Sequence, residues 1–148
     1  LGMESQGLIS FDGKSKIVLY NKPNSKLPGS LVTALCANQS SSEVWAGFAS
    51  TLPTGSDLGG VAAFVNGTWI TVAGMPVTNF ESIEYYEGKH WICTHEGLVK
   101  CTSPSSVEII DRNNSKLPTN FIKQVDFDSY GYMWIATGNA GLVRYKMK

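Results

Sequence analysis

His95 and Glu96, adjacent in this 148-residue sequence, are the residues whose types and spacing best suit chemistry. An imidazole beside a carboxylate can act as an acid–base pair, and no other arrangement in the sequence carries a recognisable catalytic motif. The carboxylates are scattered, and successive side chains of a strand point to opposite faces unless a turn reorients them. We therefore expect no catalytic residue and keep His95 with Glu96 as a rival assignment.

Cys36, Cys93 and Cys101, together with His90 and His95, are the candidate metal ligands. An odd number of cysteines without a CxxC pair is typical neither of a zinc site nor of a disulfide framework. In a strand, Cys93 and His95 share one face and His90 lies on the other. The sequence therefore predicts no metal and no cofactor, and we interpret Cys36 and Cys93 as small apolar core residues.

Charge and composition exclude several classes of partner. Twelve Lys and Arg residues are balanced by twelve Asp and Glu residues, so no basic surplus is available to neutralise nucleic-acid phosphates. No apolar run approaches the roughly 18–20 residues that a membrane-spanning helix requires. With 43% hydrophobic and 16% charged residues, the composition is typical of one folded domain. We expect neither a nucleic acid nor a membrane as a partner of this segment.

A repeat of about 43 residues supplies the elements that must position these side chains. The segment Asn-Ser-Lys-Leu-Pro at 24–28 recurs letter for letter at 114–118. A tryptophan opens a strand-like segment at 45, 91 and 134, and a glycine-led segment follows each at 60–64, 97–101 and 141–145, with a fourth copy at 7–11. Because residues that serve the packing of a repeat recur once per repeat, we interpret Trp45, Trp91 and Trp134 as core residues.

Each repeat contains short strand signals separated by turn residues, without helical periodicity of useful length. The predicted strands are 31–37, 43–48, 60–65 and 68–72; 79–85, 89–94, 97–101 and 107–110; and 121–127, 132–137 and 141–145. Asn66-Gly67 and Glu87-Gly88 are predicted turns. Four antiparallel strands in each repeat of this length are typical of a β-propeller. We therefore predict an all-β chain of about three and a half blades: a part-blade at 1–23, blades at 24–75 and 76–113, and a blade at 114–148 without its outer strand.

Strand parity predicts one face on which binding residues gather. Because consecutive strands alternate in direction, the loops between second and third strands open on the same side as the connections between blades. Residues 49–59 are an insertion in one such loop, and insertions on one face of a repeat array often mark its binding face. The Asn-Ser segments also suit a plain turn, because Asn and Ser side chains bond nearby backbone groups. The predicted ligand or partner residues are Asn24, Ser25, Thr54, Ser56, Asp57, His95, Glu96, Asn114, Ser115 and Asn139.

At these anchors the sequence resembles the two-component regulator propeller repeat. That repeat reads approximately as Asn-Ser-x-Leu-Pro-x-Asn, a strand, Asp-x-x-Gly-x-x-Trp-Ile-Gly-Thr, and then Gly-Leu-x-Arg-Tyr. Residues 114–145 match nearly throughout, whereas 24–48 and 76–101 match more loosely and have lost Asp-x-x-Gly. Such repeats build the extracytoplasmic sensor region of hybrid histidine kinases in gut Bacteroidetes, where they are implicated in glycan sensing.

The resemblance implies a non-catalytic sensing or protein-interaction module of a two-component system, located in the periplasm or outside the cell. A glycan or another small ligand would bind across loops from several blades. Two alternatives stay open. One is a propeller enzyme similar to the streptogramin lyases that uses His95 and Glu96, and the other is a structural fragment that only assembles with itself.

Residues 1–7 align without gaps to 135–141, so the chain is predicted to begin inside the second strand of a blade, past the position of the repeat's tryptophan. Three and a half repeats are fewer than the roughly four to eight blades of most closed propellers, and open sheet edges are normally covered. We expect the ring to be completed by a second copy of the chain or by the remainder of a longer sensor chain.

Overall fold

Short runs of apolar and β-branched residues between turn residues form the strands of this protein. The computed structural model describes residues 1–3, 6–38, 41–52, 54–55 and 57–147, and this part of the chain forms four successive antiparallel sheets. Each sheet is a meander in which strands that are neighbours in sequence are neighbours in space, so each sheet is one propeller blade. The all-β propeller prediction is confirmed.

The strand bounds follow the predicted ones to within two residues. Blade 1 contains β1 (Gly2–Met3), β2 (Gly7–Phe11) and β3 (Ile17–Tyr20); blade 2 contains β4 (Val32–Ala37), β5 (Val44–Phe48), β6 (Gly60–Val65) and β7 (Thr68–Thr71); blade 3 contains β8 (Phe80–Tyr86), β9 (Lys89–Thr94), β10 (Gly97–Ser103) and β11 (Ser106–Ile110); blade 4 contains β12 (Ile122–Phe127), β13 (Tyr132–Thr137) and β14 (Leu142–Lys146). A four-residue helix, α1 (Lys22–Ser25), joins blades 1 and 2. In the described ranges, no helix has the length and apolar character needed to cross a membrane.

Two hairpin turns have the backbone conformation that their sequences predict. Asn66 and Gly67 have φ angles of 51° and 81°, and Glu87 and Gly88 have φ angles of 47° and 77°. Positive φ at both central residues is the geometry of the tight turn whose twist matches that of the flanking strands. These turns set the register of β6 on β7 and of β8 on β9.

Tryptophan side chains hold neighbouring blades together. Trp45 of blade 2 is 1% exposed and stacks on His90 of blade 3, with ring centroids 4.2 Å apart. Trp91 of blade 3 lies against Phe127 of blade 4, with centroids 5.8 Å apart. The core role predicted for these two tryptophans is confirmed, and aromatic pairs of this kind stabilise packing beyond the area that they bury. Trp134, in the last blade, is half-buried.

The cysteines lie in the core. Cys93 and Cys101 are fully buried, and Cys36 is half-buried against the cluster that contains Cys101. Burial raises the pKa of Cys93 to about 12 and that of Cys101 to about 11, so both thiols stay protonated at neutral pH. Among the described residues, no group of three or more His, Cys, Asp or Glu side chains is placed to hold a metal ion.

Candidate functional site

One face of the arc carries both the loops between second and third strands and the connections between blades, as strand parity predicts. The backbone N–H of Ala49 donates to the carbonyl of Leu31 at 2.9 Å, which joins the two kinds of segment in blade 2. The N–H of His95 donates to Asn79 at 3.3 Å in blade 3, and the N–H of Gly138 donates to Phe121 at 2.9 Å in blade 4. We call this side the loop face; it comprises the described residues of 21–31, 49–59, 72–79, 95–96, 111–121 and 138–141.

A β-bulge recurs where the first strand of a blade leaves the loop face. The register shifts between Val32 and Ala34 in β4, between Phe80 and Ser82 in β8, and between Ile122 and Gln124 in β12. A bulge leaves one residue out of the ladder and re-aims its side chain, which is why bulges are common beside binding sites. The three bulge residues are Thr33, Glu81 and Lys123.

Glu81 and Lys123 bring blades 3 and 4 together in a polar cluster around one aromatic ring. Oε1 of Glu81 lies 2.6 Å from Nε2 of His95. Oε2 of the same carboxylate accepts a hydrogen bond of 3.1 Å from Nζ of Lys123. The ring of Phe121 lies 4.0 Å from the imidazole of His95, and Lys123 Nζ stands 4.9 Å from the centroid of the same ring. We call Glu81, His95, Phe121 and Lys123 the junction cluster.

The junction cluster is accessible to solvent and holds an ionised carboxylate. The exposed fractions of the Glu81, His95 and Lys123 side chains are 25%, 34% and 49%. Burial by itself raises the pKa of Glu81, but the hydrogen bonds from His95 and Lys123 outweigh burial, and the pKa lies below its usual value. An anionic acceptor, a cationic donor and an aromatic face thus lie within one ligand's reach, as polar ligands with apolar faces require.

His95 reaches a different carboxylate from the predicted one. Its partner is Glu81, fourteen residues earlier on β8, whereas Glu96 is exposed and contributes its backbone N–H to Thr94 Oγ1 at 3.0 Å. The turn at 95–96 separates the two adjacent side chains, and the bulge directs Glu81 toward the imidazole. The rival acid–base pair of His95 and Glu96 is therefore replaced by the pair of His95 and Glu81.

Asn24 and Ser25 support the connection between blades 1 and 2. Asn24 Oδ1 accepts the backbone N–H of Asn21 at 2.8 Å, while its Nδ2 donates to the carbonyl of Leu19 at 2.9 Å. The side chain of Asn21 in turn accepts the backbone N–H of Asn24 and thereby caps the N-terminus of α1. Ser25 Oγ donates to Asn24 Oδ1 at 2.6 Å.

Asn114 repeats the arrangement of Asn24 before blade 4, and Ser115 follows it with a bond of its own. Asn114 Oδ1 accepts the N–H of Asp111 at 2.9 Å, and its Nδ2 donates to the carbonyl of Ile109 at 2.8 Å. Ser115 Oγ donates to the carbonyl of Asp111. The asparagine makes the same two bonds in both copies, which explains why it is repeated: it shapes the turn between blades. The two serines bond different acceptors. The side-chain oxygen and nitrogen of Asn24 and of Asn114 already have backbone partners, so a ligand would have to share or replace these bonds.

Asp57 fastens the insertion to the loop face. Its carboxylate is 10% exposed, pairs with the ammonium of Lys22 and accepts the backbone N–H of Ser30 at 3.0 Å. The hydrogen bond from Lys22 lowers the pKa of Asp57. Within the insertion, Thr54 Oγ1 donates to the carbonyl of Thr51 at 3.2 Å. Ser56, also a predicted binding residue, lies outside the described residues.

The loop of blade 4 adds an exposed polar residue. Asn139 is exposed at the turn between β13 and β14, where the N–H of Ala140 donates to Thr137 Oγ1 at 2.9 Å.

The sequence analysis did not predict Glu81, Phe121 and Lys123, which lie where the connections between blades lead into the first strands. Comparison of the repeats carries a signal for two of them, because Thr33, Glu81 and Lys123 occupy one repeat position with three different chemistries, each directly after an apolar residue.

The chain shares its fold with solved extracellular domains of bacterial two-component systems and with a bacterial surface protein. The extracellular domain of the hybrid two-component system BT3049 of B. thetaiotaomicron matches with a TM-score of 0.77 and 22% identity over 98% of this chain and 19% of that one. The extracellular domain of BT4673 of the same organism matches with a TM-score of 0.54 and 12% identity over 99% of this chain and 25% of that one. PorZ, a surface component of the type-IX secretion system of Porphyromonas gingivalis, matches with a TM-score of 0.58 and 19% identity over 79% of this chain and 17% of that one.

These comparisons agree with the resemblance to the regulator propeller repeat. No family model matches the chain, and no curated protein matches it. The chain spans about a fifth of the length of the structures that it resembles. Its four sheets therefore have the fold of a short arc of the propellers in the extracellular domains of two-component sensors.

Proposed function

We propose that this chain is a non-catalytic, ligand-sensing arc of an extracytoplasmic propeller and that a glycan binds at its loop face. The observation that carries the proposal is the junction cluster, in which Glu81 and Lys123 flank the ring of Phe121 across two blades. A sugar presents hydroxyl groups at its edge and C–H groups on its faces. The carboxylate and ammonium suit the hydroxyls, and the aromatic ring suits a face.

Signalling follows from the position of the cluster. Glu81 belongs to blade 3, and Phe121 and Lys123 belong to blade 4. The affinity of a ligand that contacts all three residues therefore depends on how the two blades are positioned relative to each other. A ligand shifts a conformational equilibrium only by its differential affinity for the two states. A ligand bound across the junction of blades 3 and 4 would have different affinities for two arrangements of these blades. The extracellular location of the structural neighbours supports placing this chain in the periplasm or outside the cell.

Binding to an array of defined oligosaccharides, followed by calorimetry with the best binder, tests the proposal. We expect Glu81→Gln and Phe121→Ala each to weaken binding roughly tenfold or more, because one loses a charge-assisted acceptor and the other an aromatic face. Lys100→Ala is the matched control, since Lys100 pairs with Glu108 in the middle of blade 3. Equal affinity of all variants, or no saccharide bound by the unmodified chain, would contradict the proposal.

A lyase is the second candidate, and the observation that favours it is the contact of 2.6 Å between His95 Nε2 and Glu81 Oε1. An imidazole that is oriented by a carboxylate can act as a general base. Mass spectrometry of the bound saccharide after prolonged incubation separates the two functions. Unchanged saccharide supports sensing, whereas cleaved product that disappears in the His95→Ala variant supports the enzyme.

A further inference from the structure

A backbone hydrogen bond on the loop face pairs Gly138 with Phe121 in blade 4. The N–H of Gly138 donates to the carbonyl of Phe121 at 2.9 Å, where the loop between second and third strands meets the start of the first strand. The same bond joins the equivalent pairs of the two preceding blades, which are Ala49 with Leu31 and His95 with Asn79. Of these three pairs, only that of blade 4 combines a glycine with an aromatic residue.

The ring of Phe121 lies directly on the Cα of Gly138. A Cβ atom added to Gly138 would stand 2.1 Å from Cδ1, 2.4 Å from Cε1 and 2.5 Å from Cγ of Phe121. All three distances are well below the roughly 3.5 Å at which non-bonded carbon atoms normally touch. Because three successive ring atoms are almost equally close, the added atom would lie over the face of the ring. Any side chain at position 138 would therefore displace the ring.

Space for the ring, and not backbone conformation, explains the glycine at position 138. The φ angle of Gly138 lies outside the left-handed region that favours glycine, whereas Gly141 in the same loop has a φ angle of 77°. The three atoms nearest to an added Cβ all belong to the Phe121 ring. An alanine at position 138 can therefore keep the backbone as it is, and the conflict is relieved by movement of the Phe121 side chain.

The place of the Phe121 ring determines the shape of the junction cluster. Its centroid lies 4.0 Å from that of the His95 imidazole and 4.9 Å from Nζ of Lys123. We propose that Gly138 is a positioning residue of the glycan site, which holds the Phe121 ring beside His95 and Lys123 and contributes to binding only through that ring. The inference rests on the proposed function for its ligand, but the place of the ring is measurable without a ligand.

A double-variant cycle with the best-binding saccharide tests the role in binding. Calorimetry compares the unmodified chain, Gly138→Ala, Phe121→Ala and the chain with both changes. We expect Gly138→Ala to weaken binding roughly tenfold or more, as Phe121→Ala does, and to have no further effect where the ring is already absent. Ala140→Ser is the matched control, because it also adds one heavy atom in the same loop and should leave the affinity unchanged.

Two results of the cycle would overturn the proposal. If Gly138→Ala weakened binding equally with and without the Phe121 ring, the glycine would act on the ligand by itself. If Gly138→Ala bound the saccharide as tightly as the unmodified chain, the ring would not need the space that the glycine leaves.

NMR signals of the His95 imidazole give a readout that needs no ligand. The Phe121 ring lies close enough to shift these signals by its ring current. The chain contains two histidines, so the His90→Met variant assigns the His95 signals. We expect Gly138→Ala to move them toward their positions in Phe121→Ala and Ala140→Ser to leave them in place. Unmoved signals in Gly138→Ala would overturn the proposal. Moved signals in a chain that binds no saccharide would contradict the proposed function and support the role of Gly138 in placing the ring.

Discussion

Nε1 of Trp134 donates a hydrogen bond of 2.8 Å to Oδ2 of Asp128, while Oδ1 of the same carboxylate accepts the backbone N–H groups of Tyr130 and Tyr132. One side chain thus closes the turn between β12 and β13 and holds the tryptophan of blade 4. Blades 2 and 3 have lost Asp-x-x-Gly, and their buried tryptophans have no partner for Nε1 in the described part of the chain. The Asp and Trp of the repeat motif are therefore one structural unit.

Asp128→Ala is expected to lower the melting temperature by about 2–4 °C, because three N–H groups lose their acceptor. The hydrogen bond from Trp134 lowers the pKa of Asp128. A carboxyl group with a lowered folded-state pKa stabilises the fold above its unfolded pKa, and this contribution is lost as pH falls through the folded pKa. Thermal unfolding followed by circular dichroism at pH 7 and pH 3 checks both effects. If Asp128→Asn, which keeps an acceptor oxygen, lost as much as Asp128→Ala, the hydrogen bonds would not be the cause.

His90 makes the junction of blades 2 and 3 sensitive to acid. Burial lowers its pKa from 6.5 to about 4, and its Nε2 has no partner among the described residues. The unfolded chain therefore binds a proton as pH falls through 6.5 while the folded chain does not, so stability decreases progressively between about pH 6.5 and 4.

His90→Met is expected to remove this part of the acid sensitivity. The repeat itself provides the substitution, because Met133 occupies the same position in blade 4. Between pH 7.5 and 4.5 the melting temperature of the unmodified chain should fall further than that of the variant, so the difference between the two should shift in favour of the variant as pH falls. Parallel curves across that range would show that His90 is not the titrating group.

Asn114 and Asn139 were predicted together as ligand residues, but the structure gives them different surroundings. Asn114 bonds the backbone of Asp111 and Ile109, so Asn114→Ala should cost about 1 kcal/mol of unfolding free energy. Asn139 is exposed, so Asn139→Ala should change stability by less than about 0.5 kcal/mol. Urea unfolding monitored by tryptophan fluorescence measures both values. A loss at Asn139 as large as that at Asn114 would contradict this distinction.

The sequence predicts the strands well because local chemistry determines them. Asn66-Gly67 and Glu87-Gly88 adopt the positive φ angles expected of tight turns, and 89–94 is a strand with the predicted bounds. The junction cluster was not predictable in the same way. Glu81 and Lys123 are forty-two residues apart, and their contact depends on how blade 3 packs on blade 4 and on a bulge in each first strand. Sequence pattern does not show where a ladder slips by one residue.

Both ends of the arc expose apolar side chains, and we expect the chain to associate with itself as concentration rises. Phe11 and Ile17 in blade 1 are 52% and 63% exposed, and Leu142 and Tyr145 in blade 4 are 64% and 51% exposed. Exposed apolar side chains at the end of a sheet array favour pairing with another chain. Light scattering on a sizing column, across a dilution series, should give an average mass that rises toward two chains. Leu142→Glu should lower that mass, whereas Val77→Glu, at an exposed position between blades 2 and 3, should not; one chain's mass at every concentration would exclude ring closure by a second copy.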